Sequence, residues 1–402
     1  MIDRQEYLAE LDRHMGKANL IKVVTGVRRC GKSTLLLLFQ KRLEKTKVPK
    51  SRIINISLES IENEDLRNGK VLYKYVKDRL KTDVLHYVFI DEIQLADGYE
   101  EAVNSLRLLK NADVYVTGSN SNIFSGKFAT RWAGRYVEIR MLPLSFKEYA
   151  SASTNTNPDI IFKNYVEQSS FPEVLAYRNE GDVRAYLDAI YNSIMIKDVM
   201  LQNGIKEAAL LERVVKCLFS NIGSETSVNG MVNMLNNDLK LRPTEKKVYA
   251  ATLEDYINAL LKSFVFYKAE RRYFKGREYL RTNAKYYAVD TGLRYFLLGN
   301  KGADSGHILE NIVYLELLRR GYKVYVGKVG EKEVDFIAEN INGTEYYQVA
   351  ETLRGRETLS RELASLNAIN DHNPKFLLTR DYEPRTSHNG IKQLNALEWL
   401  LG

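Results

Sequence analysis

The first part of the chain alternates short, almost wholly apolar runs with longer segments whose apolar residues recur every three or four positions. An apolar run without polar alternation predicts a strand buried on both faces, and the longer period predicts an amphipathic helix. The predicted strands are 20–25, 52–58, 85–92, 113–120 and 136–140, and the predicted helices are 5–14, 33–43 and 71–80. This order predicts an α/β fold with a doubly wound parallel sheet and right-handed crossovers.

A different pattern follows this predicted sheet. Helical spacing of apolar residues predicts the helices 183–200, 210–222, 227–237 and 252–263. Residues 265–289 then read as a hairpin that turns at Lys275-Gly276. Helices followed by a two-stranded wing are typical of a winged-helix domain.

The last hundred residues return to an α/β pattern. A helix at 306–320 precedes strands at 322–326, 333–337 and 346–350. We therefore predict three domains: an α/β domain at 1–155, a helical and winged-helix-like domain at 156–300, and a second α/β domain at 301–402.

Composition narrows the class of protein. With 402 residues the chain is too long for one ordinary core, and 45% apolar with 27% charged residues is typical of a globular protein. The sequence has no apolar run of about twenty residues and no apolar signal core, so we expect a cytoplasmic protein without a membrane partner. Its two cysteines are too few for a disulfide framework, and the net charge of +8 hints at an acidic partner such as nucleic acid.

One loop of the first domain carries a phosphate-binding pattern. Gly26, Gly31, Lys32 and Ser33 hold the fixed positions of G-x-x-x-x-G-K-[ST], between a predicted strand and a predicted helix. The glycines let backbone N–H groups point at phosphate oxygens, Lys32 is expected to reach the β- and γ-phosphates, and Ser33 is expected to bind Mg²⁺. The residues expected to surround the nucleotide are Gly26, Val27, Arg28, Arg29, Cys30, Gly31, Lys32, Ser33 and Thr34.

Polar residues end the two strands that follow. Asp91 and Glu92 close an apolar strand, which is the Walker B pattern: Asp91 is expected in the metal's coordination shell, and Glu92 is expected to polarise the attacking water. Ser119 or Asn120 ends the next strand and would orient that water beside the γ-phosphate. The sequence has no Asn-Lys-x-Asp string in this domain to read guanine, so ATP is favoured over GTP.

Two arginines precede the fifth predicted strand. Arg135, or as a second choice Arg131, could reach a γ-phosphate across a subunit boundary, which would require a homo-oligomer. The alternative is that either arginine lies on the surface and pairs with a nearby group of its own chain.

The strings 25–34, 89–93, 117–121, 134–135 and 142–146 resemble the prokaryotic AAA-type ATPases that carry a C-terminal domain of unknown function. These belong to the additional-strand, catalytic-glutamate class of P-loop proteins in the AAA+ superfamily, and the resemblance covers nearly the whole chain. It implies ATP binding and hydrolysis, with these roles on Lys32, Ser33, Asp91 and Glu92.

The predicted hairpin is rich in basic residues. Between residues 268 and 285 there are seven lysines and arginines against two acids, with Tyr and Phe interleaved. This combination suits contacts to a DNA backbone. The alternatives are a protein contact, or a solvated hairpin whose charges protect an exposed edge.

The last domain resembles the restriction-nuclease-like fold. Glu310, Asp335 and Gln348 match its metal-ligand positions, but Ala350 stands where active members carry a lysine. Glu351 follows, and the next lysine is Lys375. We therefore expect this domain to be inactive as a nuclease.

The leading hypothesis is an ATPase that uses Mg²⁺ and ATP to control the conformation of C-terminal DNA- or protein-binding domains. The first alternative is a nucleotide-gated switch that holds DNA or a protein partner with little turnover. The second is an ATP-dependent nuclease, which Ala350 disfavours.

Overall fold

The computed structural model describes residues 2–124, 132, 134–238, 247–273, 284–299, 304–382 and 386–402. The chain forms two compact units: residues 1–143 with 262–264, and residues 144–261 with 265–402. Within the ranges just given, no helix is both long enough and apolar enough to cross a membrane.

The first unit is a five-stranded sheet with helices between its strands. The strands are β1 (Ile21–Thr25), β2 (Ile53–Ser57), β3 (His86–Asp91), β4 (Ala112–Gly118) and β5 (Tyr136–Arg140). The helices are α1 (Gln5–His14), α2 (Lys32–Lys45), α3 (Gly69–Lys77) and α4 (Tyr99–Arg107). The strand order is β2-β3-β4-β1-β5, and every neighbouring pair is parallel. The predicted parallel α/β sheet is confirmed.

The central strands β1 and β4 are buried on both faces, as their nearly unbroken apolar sequences predict. Every residue of β1 and β4 is buried, including a Lys22–Asp113 ion pair whose side chains are wholly inaccessible to solvent. The strand β4 lies between β1 and β3. Since all strands are parallel, the residues that follow β1, β3 and β4 emerge at the same edge.

The second unit combines helices with a larger sheet. Its helices are α5 (Phe146–Ala152), α6 (Pro158–Gln168), α7 (Glu180–Ser193), α8 (Ala208–Ser220), α9 (Val228–Asp238), α10 (Ala250–Lys262, whose last residue belongs to the first unit), α11 (Thr291–Leu298), α12 (Ser305–Arg319), α13 (Arg356–Asn367) and α14 (Ala396–Leu401). A π-helix, Ile194–Leu201, continues α7 where the sequence predicted one long α-helix.

The strands of this unit come from two of the predicted domains and form one sheet. They are β6 (Glu225–Thr226), β7 (Phe266–Tyr273), β8 (Ala284–Ala288), β9 (Lys323–Val329), β10 (Lys332–Asn340), β11 (Gly343–Ala350), β12 (Lys375–Thr379), β13 (Thr386–His388) and β14 (Ile391–Asn395). Their order is β13-β14-β12-β11-β10-β9-β7-β8-β6. The hairpin strands β7 and β8 are antiparallel, and β7 also pairs in parallel with β9. One sheet therefore runs through the segments 156–300 and 301–402; the predicted turn at Lys275-Gly276 lies outside the described residues.

Candidate active site

The loop after β1 has a backbone that only glycine can adopt at its first position. Gly26 has φ = +148°, and a Cβ atom there would lie 2.1 Å from the carbonyl oxygen of Met141. Gly31, at the start of α2, has φ = +106°. These two conformations let the chain curl around a small volume before the helix begins.

Lys32 is the first residue of α2 and lies inside this curl. Its Nζ donates hydrogen bonds to the carbonyl oxygens of Gly26 and Val27, at 3.1 and 3.2 Å, and lies 3.9 Å from Glu92 Oε1. Val27 and Cys30, which belong to the loop, are buried, and Arg28 Nη1 lies 3.2 Å from Glu59 Oε1. The ammonium of Lys32 therefore lies between the phosphate-binding loop and Glu92, the residue that follows β3.

Ser33 and Asp91 supply oxygen ligands of the kind that Mg²⁺ prefers. Ser33 Oγ donates to Asp91 Oδ2 at 2.8 Å, and Thr117 Oγ1 donates to Asp91 Oδ1 at 2.6 Å. Burial raises the pKa of Asp91, although both hydrogen bonds act in the opposite direction. A hydroxyl beside a carboxylate at the end of a phosphate-binding loop fits a magnesium ion, so the residues present suit the metal predicted from the sequence. Thr117 lies on β4, and the sequence pattern alone does not predict its hydrogen bond to Asp91.

Glu92 is held by its backbone and by its neighbours. It has φ = +53°, its N–H donates to Thr117 Oγ1 at 2.8 Å, and Gln94 Nε2 donates to its Oε2. Burial alone would raise the pKa of Glu92, but the charge of Lys32 and the hydrogen bond from Gln94 lower it overall. Lys32 and Gln94 therefore favour the ionised form of this carboxylate.

The polar residues that end β4 are both buried at the same edge. Ser119 Oγ lies 3.4 Å from Gln94 Nε2, and Asn120 Nδ2 donates to Ser263 Oγ at 3.3 Å. Ser263 belongs to the short segment 262–264 that is part of the first unit. The structure thus brings Ser119 next to the Glu92 group, while the amide of Asn120 contacts a residue far along the chain.

Arg135, the first choice among the two predicted arginines, is not brought to this edge. Arg135 immediately precedes Tyr136, which pairs with Ile21 at the first residue of β1, whereas the phosphate-binding loop follows Thr25 at the last. Four residues of strand span about 13 Å. Arg135 therefore lies at the opposite end of the sheet from its own chain's loop, and Arg131 lies outside the described residues.

A second cluster of charged side chains lies in the second unit. Glu310 on α12, Asp335 on β10 and Gln348 on β11 line one cavity of about 660 Å³. Lys285 on β8 reaches the same cluster: its Nζ lies 2.9 Å from Glu310, 2.8 Å from Glu333 and 3.8 Å from Asp335.

Lys285, Glu310 and Asp335 are buried, so their charges act on one another with little screening by solvent. Desolvation and the charge of Glu310 raise the pKa of Asp335 well above its ordinary value. Burial alone would lower the pKa of Lys285, but the charges of Glu310, Asp335 and Glu333 raise it well above its ordinary value. Among the described residues, no group of three or more His, Cys, Asp or Glu is arranged to hold a metal ion.

Three of the basic residues predicted to contact DNA are paired with acids in the structure. Arg271 forms ion pairs with Glu225 at 2.5 Å and Glu333 at 2.9 Å, and Arg272 pairs with Glu339. Lys285, counted in the sequence as part of the same basic face, is buried in the cluster described above. Lys268 is exposed, and Lys275, Arg277 and Arg281 lie outside the described residues.

Two family models match the sequence. An AAA domain matches residues 18–150, and a domain of unknown function matches residues 160–304. The first match spans β1 to β5 and contains each residue of the loop and of the Walker B strand described above.

Relatives extend the likeness beyond these two segments. An uncharacterized protein of Haemophilus influenzae is 36% identical over 100% of this chain and 99% of its own length. An uncharacterized protein of Methanocaldococcus jannaschii is 26% identical over 86% of this chain and 79% of its own length. The solved structure of an Aeropyrum pernix ORC2 protein, with ADPNP and ADP, covers 78% of this chain and 93% of its own at 10% identity and a TM-score of 0.41. The chain therefore belongs to the family of the Haemophilus influenzae protein, and residues 18–150 of its first unit match the AAA domain.

Proposed function

We propose that this protein binds ATP with Mg²⁺ and hydrolyses its terminal phosphoanhydride bond. The observation that carries this proposal is the position of Glu92. Its carboxylate lies 3.9 Å from Lys32 Nζ and immediately follows Asp91, which is hydrogen-bonded to Ser33. An ionised carboxylate next to a phosphate-binding lysine and a metal-binding pair is suited to activate water for attack on phosphorus.

Each residue has a defined part in this proposal. The N–H groups of 26–34 and the Lys32 ammonium bind the phosphates, and Ser33 with Asp91 would hold Mg²⁺, which supplies Lewis acidity at the phosphate oxygens. Glu92 orients the attacking water and accepts its proton. Asn120 serves as a sensor at the same edge, and Arg135 can act only at the site of a second copy of the chain.

The substitution Glu92→Gln tests hydrolysis against the alternative of a nucleotide-gated switch. We expect the variant to bind Mg-ATP with unchanged affinity and to lose at least about 100-fold in kcat, the usual contribution of general base catalysis. Phosphate release and binding of a fluorescent ATP analogue measure the two quantities. Glu44→Gln, an exposed glutamate on α2, is the matched control. If wild type and Glu92→Gln release phosphate equally slowly, the switch is the better description.

We further propose that nucleotide state is passed to the second unit through the segment 262–264. The edge of the five-stranded sheet where the phosphate-binding loop, Asp91 and Glu92 meet is called the nucleotide edge. Asn120 lies at this edge, and its Nδ2 donates to Ser263 Oγ at 3.3 Å. The chain enters this segment from α10 and leaves it into β7. Phe264 has φ = +57°, a conformation that costs about 1–3 kcal/mol for a residue other than glycine. A strained segment that contacts the sensor residue is suited to change conformation with the nucleotide.

The nuclease-like part is proposed to be inactive, for a reason beyond the alanine at position 350. The ammonium of Lys285 lies among Glu310, Glu333 and Asp335 and neutralises carboxylates that a catalytic metal would need. In this proposal the buried cluster is a structural core of charged groups.

Binding of DNA or of a protein partner by the second unit stays a prediction. The pairing of Arg271 and Arg272 with glutamates disfavours both residues as phosphate contacts. Retention of the protein on duplex DNA at increasing salt concentration tests the remaining DNA hypothesis, since phosphate contacts weaken steeply with salt.

A further inference from the structure

Gln94 lies in a rigid turn directly after the Walker B acids. The residues Ile93–Leu95 form one turn of 3-10 helix, in which the N–H of Leu95 donates to the carbonyl oxygen of Glu92 at 3.0 Å. Ile93 anchors this turn because its side chain is wholly buried in the core of the first unit. The turn therefore fixes where the side chain of Gln94 begins.

The amide nitrogen of Gln94 lies close to two oxygen acceptors at the nucleotide edge. Nε2 donates to Glu92 Oε2 and lies 3.4 Å from Ser119 Oγ. The other carboxylate oxygen, Glu92 Oε1, lies 3.9 Å from Lys32 Nζ. The two oxygens of Glu92 thus face different partners, and the carboxylate cannot rotate without losing both.

The carbonyl oxygen of the same amide lies in an unfavourable environment. Gln94 Oε1 is buried and accepts no hydrogen bond from any residue in the described part of the chain. It packs against Gly118, where a Cβ atom would lie 3.2 Å from it. A buried carbonyl without a partner is unfavourable, and an apolar side chain of the same length would fill this space without that cost. A donor to Glu92 accounts for an amide at this position.

We propose that Gln94 is a positioning residue for ATP hydrolysis: by holding Glu92 Oε2, it keeps Oε1 directed at the space beside Lys32 where the attacking water must lie. This inference rests on the proposed ATPase function. It requires no contact between Gln94 and the nucleotide, so it predicts an effect on turnover and none on binding.

The test compares two substitutions of nearly equal size. Gln94→Met removes the donor, and we expect kcat to fall about tenfold, which corresponds to the loss of a hydrogen bond to a charged group. Gln94→Glu places a second carboxylate against Glu92, so kcat is expected to fall further. KM and the dissociation constant for Mg-ATP stay within about twofold of wild type, and in a Glu92→Gln background Gln94→Met causes no additional loss.

A matched control separates positioning from folding. Gln40 on α2 is also largely buried and donates to Asn55 at 3.1 Å, away from the nucleotide edge. Gln40→Met should leave kcat unchanged although it removes a comparable hydrogen bond. A kcat of Gln94→Met equal to that of wild type, or an equal loss in Gln40→Met, overturns the inference while the ATPase proposal stands. Absence of turnover in the wild-type protein overturns the proposed function and takes this inference with it.

Discussion

Gly26 is the residue at which the nucleotide loop depends most directly on the absence of a side chain. Its φ of +148° and the 2.1 Å separation between an added Cβ and the Met141 carbonyl oxygen both disfavour a side chain at this position. A backbone atom cannot move aside as the end of a flexible side chain can. Any larger residue must therefore displace the loop itself.

We predict that Gly26→Ala lowers the affinity for Mg-ATP about 100-fold, because displacing the loop breaks about two of its hydrogen bonds to the charged phosphates, at about 1.5 kcal/mol each. Isothermal titration with a non-hydrolysable analogue measures the loss. The control is Gly16→Ala, at φ = +77° with no atom within 4 Å of the added Cβ. It should retain affinity and lose only about 1 kcal/mol of stability from backbone strain. Equal affinities for the two variants would contradict the steric argument.

At the scale of elements, β8 carries a charged residue into the buried interior of the second unit, one strand from the edge of the nine-stranded sheet. All five residues of β8 are buried, and Lys285 on this strand meets carboxylates from α12 and β10. The raised pKa of Lys285 means that its positive charge stabilises the fold below the unfolded-state pKa of lysine, and that this contribution is lost only in strongly basic solution.

We predict that Lys285→Met destabilises the second unit by about 3–5 kcal/mol at pH 7, because it leaves buried carboxylates without a cation. Urea unfolding followed by hydrogen exchange of β8 and α12 measures this effect. Lys216→Met, which removes an exposed ion pair to Glu212 on α8, should cost about 0.5 kcal/mol or less.

A DNA cleavage assay tests whether the cluster around Lys285 has a structural or a catalytic role. Purified wild-type protein with Mg²⁺ or Mn²⁺ should leave plasmid DNA uncut. Cleavage that disappears in Asp335→Ala would show that the cluster is a nuclease site.

At the scale of the whole molecule, the chain passes between the two units at residues 143–144, 261–262 and 264–265. The last two passages flank the segment that contacts Asn120. A change at the nucleotide edge can therefore reach α10 and β7 along the backbone itself.

We predict that Mg-ATP, added to the non-hydrolysing Glu92→Gln protein, changes hydrogen exchange in β7 and β8, and that Ser263→Ala removes this difference without lowering ATP affinity. Exchange measured by mass spectrometry reports the change. Ser151→Ala on α5, an exposed serine of the second unit, is the control. An unchanged difference in Ser263→Ala would exclude this route.

The sequence by itself determined the features that depend on short-range spacing. Alternation of apolar runs and helical periods defined the parallel sheet of the first unit. The positions of Gly26, Gly31, Lys32 and Ser33 identified the phosphate loop, and the pair Asp91-Glu92 identified the acids that the structure brings to it. Each of these signals lies within one element or one turn, where local backbone geometry dictates residue type.

Only the tertiary structure decided which distant side chains meet. Thr117 reaches Asp91, Asn120 reaches Ser263, and Lys285 joins Glu310 and Asp335, because neighbouring strands and helices in the fold are separated along the chain. Periodicity predicts which face of an element is buried but not what it is buried against. The sequence therefore predicts that Lys285 is one more charge on a basic surface, whereas the structure buries its ammonium among carboxylates.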